Sequence, residues 1–226
     1  LVGNLLWLSG SILPQLVPWW MAFLVLTIAG ERLELSRLLR PPSGAGLSFG
    51  ACMSTVLVGC MLASLHAEWG ARVLGLGLLS LTLWLARHDV ARRTVSQSGL
   101  PRFVAVCLLS GYCWLAVSGV LGIALGPSGA GPLYDAFLHA LFVGFVLSMV
   151  FGHAPIIFPS VLNRPIVFRR AFYLHVAVLH VSLAMRLAGD LAGVSVLRTC
   201  GGLLNAAAIG LFLINTVRSI QIRSSA

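Results

Sequence analysis

Seven apolar stretches follow one another along the chain, each long enough to cross a bilayer as a helix. A helix needs about twenty mostly apolar residues to span the hydrocarbon core of a membrane. Stretches of that kind fall at 16–35, 47–66, 70–87, 102–125, 133–161, 168–190 and 195–218. A further apolar run at 1–13 predicts the outer end of a helix that begins before Leu1. The pattern therefore predicts an all-α fold, a polytopic transmembrane helix bundle with a partial N-terminal helix, forming a single domain over residues 1–226.

Short connections separate these spans, and arginine is distributed unevenly among them. Gly and Pro, which favour turns at helix ends, are frequent at 41–46, 96–101 and 126–132. Arginines follow the first, third and fifth spans and end the chain: Arg32, Arg37, Arg40, Arg87, Arg92, Arg93, Arg102, Arg164, Arg169, Arg170, Arg218 and Arg223. Because arginine-rich loops stay in the cytoplasm, we expect an integral protein of the bacterial inner membrane. Its C-terminus would be cytoplasmic and its loop at 126–132 would lie outside.

Composition supports a membrane location and excludes other classes of protein. The chain is 58% hydrophobic and 9% charged, whereas soluble domains carry about 25% charged residues. All 15 basic residues are arginine, scattered without the basic stripe and interleaved aromatic side chains of a nucleic-acid-binding surface. The cysteines form neither a CxxC pair nor a CxxCH motif. We therefore expect no nucleic-acid partner, and any heme would be held without thioether bonds.

Two histidines, His139 and His153, lie fourteen positions apart in the fifth predicted span. Ionisable groups at membrane depth are costly and mark candidate functional sites, and neutral imidazole is a frequent ligand of heme iron and copper. In an uninterrupted α-helix, fourteen residues rise about 21 Å and return to nearly the same face. Gly144 and Gly152 would leave room for a flat macrocycle or for a neighbouring helix. The alternative is that His139 only hydrogen-bonds a neighbouring helix.

The pattern of His139, Gly144, Phe145, Gly152 and Pro159 resembles one helix of two families of membrane heme proteins. One is the NnrS family, whose helix begins with a His-Glu pair. The other is subunit I of the heme–copper oxidases, with the nitric oxide reductases, in which the histidine ligates low-spin heme b. The resemblance covers residues 135–190, and it implies a b-type heme held by His139.

The sequence also departs from both families. Ala140 stands where the NnrS family has glutamate, and the paired histidines and the His-Tyr arrangement around copper are absent. We therefore assign no catalytic residue and leave open whether the protein is an enzyme.

A six-coordinate heme needs a second axial ligand, and four other histidines are candidates. His180 lies near mid-membrane on the span that follows, and His175 precedes it by five residues. His153 lies near the inner end of the fifth span, and His66 ends the second span on the outer side. We favour His139 and His180 as metal ligands, with copper as an alternative to heme iron.

Several charged or polar residues near these histidines have two interpretations. Arg186 and Arg198 either extend to the outer interface or pair with heme propionates. Asp135, four residues before His139, either orients the imidazole or is an acidic residue favoured at a helix N-terminus. His88, between Arg87 and Asp89, is predicted to be a solvated loop residue.

Together these features predict a heme b-binding integral membrane protein with an electron-transfer role or a respiratory role related to NO or O2. Its partners would be the lipid bilayer and either a redox partner or other membrane subunits. The alternative is a non-catalytic subunit that anchors or assembles a respiratory or photosynthetic complex, with histidines that pack or bind pigment. A third alternative is a transporter whose substrate site lies at the broken inner end of the fifth helix.

Overall fold

The computed structural model describes residues 1–39, 42–125 and 129–220. Within these ranges the chain is helical, apart from turns and one isolated antiparallel bridge between Ile166 and Ile220. The helices are α1 (Val2–Leu8), α2 (Leu13–Ser36), α3 (Ala45–Leu65), α4 (Ala67–His88), α5 (Ala91–Thr94), α6 (Leu100–Leu125), α7 (Pro132–His139), α8 (Leu147–Leu162), α9 (Phe172–Ala192) and α10 (Ser195–Ser219). In the part of the chain that the structure describes, 7 helical segments are long and apolar enough to cross a membrane. The predicted all-α transmembrane bundle is confirmed.

Each predicted span corresponds to one of these segments. The largest shift is at the sixth span, predicted at 168–190, because α9 begins only at Phe172. The third span, predicted at 70–87, starts earlier than expected, because α4 already begins at Ala67. His66 alone separates α3 from α4, and its extended backbone (φ −140°, ψ 93°) interrupts the helical conformation. Asn163 and Gly193, both with positive φ, follow the last residues of α8 and α9 and end those helices in the left-handed conformation.

The fifth span is not one continuous α-helix. A π-helical segment, Ala140–Val146, follows α7 directly and leads into α8. Hydrogen bonds in a π-helix join residues five apart, so each turn is wider than an α-helical turn. The prediction that His139 and His153 share one face required an uninterrupted α-helix, which the π-helical segment between them rules out.

The structure divides into two compact units, which are described separately. Unit 1 comprises Leu1–Val90 and Tyr112–Phe142, and unit 2 comprises Ala91–Gly111 and the described part of Val143–Ala226. The assignment of residues 1–226 to a single domain stays a prediction.

Unit 1 is built on close contact between α3 and α4. A Cβ added at Gly77 would lie 2.7 Å from the backbone nitrogen of Val56, and one at Gly59 would meet the backbone of Leu74. Membrane helices approach closely where side chains are small. The same unit buries a polar pair in which the Tyr112 hydroxyl donates to Asp89 Oδ2 at 2.7 Å.

Unit 2 packs α9 against α10 and surrounds them with aromatic side chains. A Cβ at Gly201 would lie 2.6 Å from the backbone nitrogen of Arg186, so these two helices also approach backbone to backbone. The Ser182 hydroxyl donates to Asn205 Oδ1 at 2.6 Å between them, in a buried position. Four phenylalanine side chains form the buried aromatic core of the unit: Phe103, Phe151, Phe172 and Phe212.

Candidate functional site

His139 is the last residue of α7 and directly precedes the π-helical segment. Its Nδ1 donates to the carbonyl oxygen of Asp135 at 2.8 Å and lies 3.3 Å from the Asp135 carboxylate. A carbonyl oxygen only accepts, so neutral His139 carries its proton on Nδ1 and a lone pair on Nε2. This is the form in which a histidine binds a metal ion through Nε2, with its other nitrogen held by an acceptor.

Asp135 fulfils both of its predicted roles. It lies in the first turn of α7, where the helix dipole favours an acidic residue. Its backbone carbonyl and its carboxylate both approach the imidazole of His139. The side chains of His139 and Asp135 are 25% and 26% exposed, so the pair is reachable from outside unit 1.

The cavity beside α7 is small. It has a volume of about 30 Å³, and Tyr134 and Phe137 of α7 contribute to its apolar lining. That volume accommodates a water molecule, whereas pockets for organic ligands measure roughly 300 Å³ or more. This cavity is therefore too small for a macrocycle.

His153 lies on α8 and belongs to unit 2, where its side chain is half-buried. Its Nδ1 donates to the Met149 carbonyl at 2.6 Å, which again leaves the lone pair on Nε2. The neighbouring Gly152 packs closely against another helix, because an added Cβ would lie 3.0 Å from the Cβ of Cys107. Space at Gly152 thus serves helix packing within unit 2.

His175 is fully buried among aromatic rings. Its ring lies edge-on to Phe151 at 4.9 Å between centroids, and Phe103, Phe172 and Phe212 also contact it. The side-chain amide of Asn215 donates both to the Ala171 carbonyl at 3.1 Å and to His175 Nδ1 at 3.2 Å. Neutral His175 then carries its proton on Nε2.

This arrangement disfavours His175 as a metal ligand. A protonated Nε2 offers no lone pair, and this atom has no hydrogen-bond partner among the described residues. An N–H group surrounded by aromatic rings is stabilised weakly by their π faces. His175 therefore resembles a packing residue.

The other histidines are spread over both units. His180 is half-buried on α9, and five residues of α-helix place it about 140° around the axis from His175. His66 is exposed between α3 and α4. Over the described ranges, no group of three or more His, Cys, Asp or Glu residues could hold a metal ion.

His88 is not the solvated loop residue that its charged neighbours suggested. It is the last residue of α4 and is half-buried. Its ring stacks on Trp84 with 4.7 Å between centroids, and its Nδ1 donates to the Trp84 carbonyl at 3.0 Å. The prediction was wrong because α4 continues through His88 and brings it one turn from Trp84.

Arg186 and Arg198 share a protein carboxylate, Asp190, which was not among the residues predicted from the sequence. The Asp190 side chain is 0% exposed, and its Oδ1 lies 2.9 Å from Arg198 Nε. Its Oδ2 lies 3.9 Å from Arg186 Nε, one helical turn earlier on α9. The contact between Arg186 and Asp190 could have been predicted, because residues four apart on a helix are neighbours. Both arginines thus contact a partner within the protein, and a heme propionate is not needed to explain them.

Comparison with known proteins adds a family assignment. No curated protein and no solved structure matches the chain. A family model described as a domain of unknown function, DUF8744, matches residues 1–221, a range that includes α1 to α10. The chain therefore belongs to the DUF8744 family.

Proposed function

We propose that this membrane protein binds a b-type heme and that His139 would hold its iron. One observation above all supports the proposal. The Nδ1–H of His139 donates a hydrogen bond to the Asp135 carbonyl oxygen, and this leaves Nε2 unprotonated and able to bind a metal ion. The resemblance of residues 135–190 to the NnrS and heme–copper oxidase families points to the same residue. A bound heme would supply one-electron redox chemistry and an iron that binds diatomic gases. The protein would then transfer electrons or take a respiratory role related to NO or O2.

The direct test is the optical spectrum of the purified protein. Protein produced with ample heme supply should show the reduced-minus-oxidised difference spectrum of b-type heme. Acid acetone should extract the chromophore, because the chain has no CxxCH motif. Elemental analysis of the same sample distinguishes iron from copper, the alternative metal for His139 and His180. A folded but colourless preparation without either metal would contradict the proposal.

The histidines also provide an internal control. Replacement of His175 by Leu should leave the heme content unchanged, because an Nδ1 that accepts from the Asn215 amide implies a protonated Nε2. Loss of heme in a folded His175→Leu variant would show that the wrong histidine has been chosen.

The second candidate is a non-catalytic subunit that anchors or assembles a membrane complex. The packing of His175 among four phenylalanine rings favours it, since that histidine is explained without a cofactor. A colourless, folded protein that co-purifies in fixed stoichiometry with respiratory or photosynthetic subunits would support this candidate over the first.

We also propose a location in the bacterial inner membrane, with the arginine-rich loops and the C-terminus in the cytoplasm. Residues 126–128, in the expected outer loop, and 221–226, at the C-terminus, lie outside the described residues. Exposed positions elsewhere provide the test, namely Ser98 on the arginine-rich side and Ala67 on the opposite side. In a cysteine-free background, a membrane-impermeant thiol reagent should label Ala67→Cys in intact cells and spare Ser98→Cys. The reverse pattern would overturn the orientation.

A further inference from the structure

An open cleft of about 910 Å³ lies in unit 2 beside the start of α6. One side comes from Ser98 and from Arg102 in the first turn of α6. The other side comes from Arg170, in the turn before α9, and from Tyr173 in its first turn. All of these residues belong to the same compact unit. The cleft is therefore a feature of one packed body.

The polar half of the cleft is positively charged. Arg102 and Arg170 are both exposed, and neither forms an ion pair with a carboxylate anywhere in the described residues. Ser98 adds a hydroxyl to the lining, which includes no acidic side chain. The N-terminus of the 26-residue helix α6 contributes a partial positive charge at the same place. This half is suited to an anion.

The opposite half of the cleft is apolar. Val106, one turn further along α6, lines it together with Phe168 and Tyr173. Phe103 packs behind these rings, with 5.5 Å between its centroid and that of Phe168 and 5.3 Å to that of Tyr173. A positively charged region beside an apolar, aromatic surface is better suited to an amphipathic molecule than to a small inorganic anion.

We propose that this cleft binds an anionic phospholipid, with the lipid phosphate between Arg102 and Arg170 and an acyl chain against Val106 and Phe168. Guanidinium groups form charge-assisted hydrogen bonds with phosphate oxygens and present their donors in a planar fork. Basic pockets between membrane helices on the arginine-rich side of a protein are characteristic sites for lipid head groups. A soluble phosphate shares this head-group chemistry, but it would leave the apolar wall uncovered. The proposal is independent of heme binding.

Native mass spectrometry of the whole protein in neutral detergent can test the proposal by lipid titration. Phosphatidylglycerol should bind more tightly than phosphatidylcholine with the same acyl chains. Each cleft arginine should contribute roughly a fivefold difference in affinity, as expected for one basic residue near an anionic lipid. The double variant Arg102→Gln/Arg170→Gln should therefore bind phosphatidylglycerol about 25-fold more weakly, if the two contributions are independent.

A matched variant separates the cleft from general surface charge. Arg164→Gln/Arg218→Gln removes the same net charge from two exposed arginines of unit 2 that do not line the cleft. This control should bind phosphatidylglycerol within twofold of the wild type. Thermal unfolding should be unchanged in both double variants, because none of the four side chains forms an ion pair within the described ranges.

Three results would overturn the proposal. Equal affinity for phosphatidylglycerol and phosphatidylcholine would show that the cleft does not select an anion. Equal losses in the cleft variant and the control variant would show that only general charge matters. Arginine-dependent binding of glycerol phosphate or inorganic phosphate, as tight as that of the lipid, would identify a soluble phosphate as the occupant instead.

Discussion

The buried carboxylate of Asp190 offers the strongest stability prediction. It is fully enclosed between α9 and α10, with Arg198 Nε at 2.9 Å and Arg186 Nε at 3.9 Å. The substitution Asp190→Asn keeps the size of the side chain, removes its charge and replaces one acceptor oxygen with an NH2 donor. Two arginines then remain without the carboxylate that both of them contact. We expect the folded state to be strongly destabilised.

The exposure of the two arginine side chains determines how much unfolding free energy the Asp190→Asn variant should lose. Breaking a buried ion pair costs about 3–5 kcal/mol, and Arg186 is close to that case because its side chain is only 17% exposed. The side chain of Arg198 is 42% exposed, so water screens its charge and its pair contributes about 1 kcal/mol or less. We therefore expect a total loss of about 3 kcal/mol in the free energy of unfolding, the lower end of the range for a buried ion pair. For a chain of this length this corresponds to a decrease in Tm of roughly 6–12 °C.

Thermal unfolding in detergent can be followed with a thiol-reactive dye, because Cys60 and Cys107 are 0% exposed in the folded protein. The matched control is Glu68→Gln, which breaks an ion pair with Arg72 whose side chains are 63% and 40% exposed. An exposed pair of this kind contributes less than about 1 kcal/mol, so the control should shift Tm by no more than about 4 °C. If Asp190→Asn shifted Tm no more than Glu68→Gln, the reasoning about buried charge at this position would be refuted.

Two further stability predictions use matched pairs of positions. Gly201→Ala should lower the free energy of unfolding by about 1–3 kcal/mol, because its Cβ would lie 2.6 Å from the Arg186 backbone nitrogen. Gly210→Ala, with nothing within 4 Å of the new Cβ, should be neutral or stabilising in the same unfolding assay, and equal effects would contradict the packing argument. Tyr112→Phe should cost about 1–3 kcal/mol by removing the hydrogen bond to buried Asp89. Tyr134→Phe should be close to neutral in urea or detergent titrations, since the Tyr134 hydroxyl has no hydrogen-bond partner among the described residues.

The sequence predicted the spans well because hydropathy acts over windows of about twenty residues and depends little on side-chain detail. It could not predict the π-helical segment Ala140–Val146, since the same apolar residues are compatible with an α-helix or with a π-helix. The start of α4 was misplaced because a single residue, His66, makes the turn without Gly or Pro. When one extended residue separates two helices, the amino-acid composition at that point does not show where the second helix begins.

The candidate site was predictable where it depends on local spacing. Asp135 and His139 are four residues apart on one helix, so their contact follows from helical geometry. The contact between Asp190 and Arg198 depends on how α9 and α10 pack after the turn at Gly193, which the sequence does not specify. His175 was ambiguous for the same reason, because the side chain that decides its tautomer, Asn215, comes from another helix, α10.

The central claim concerns the Nε2 atom of His139, and chemical rescue tests it most directly. We expect the His139→Gly variant, purified with ample heme supply, to lack the b-type difference spectrum. Added imidazole should restore heme binding and the spectrum, because the small ligand replaces the missing side chain. His88→Gly is the control, since His88 also donates Nδ1–H to a carbonyl of its own helix yet stacks on Trp84. A full heme complement and an unchanged spectrum in His139→Gly without imidazole would contradict the account.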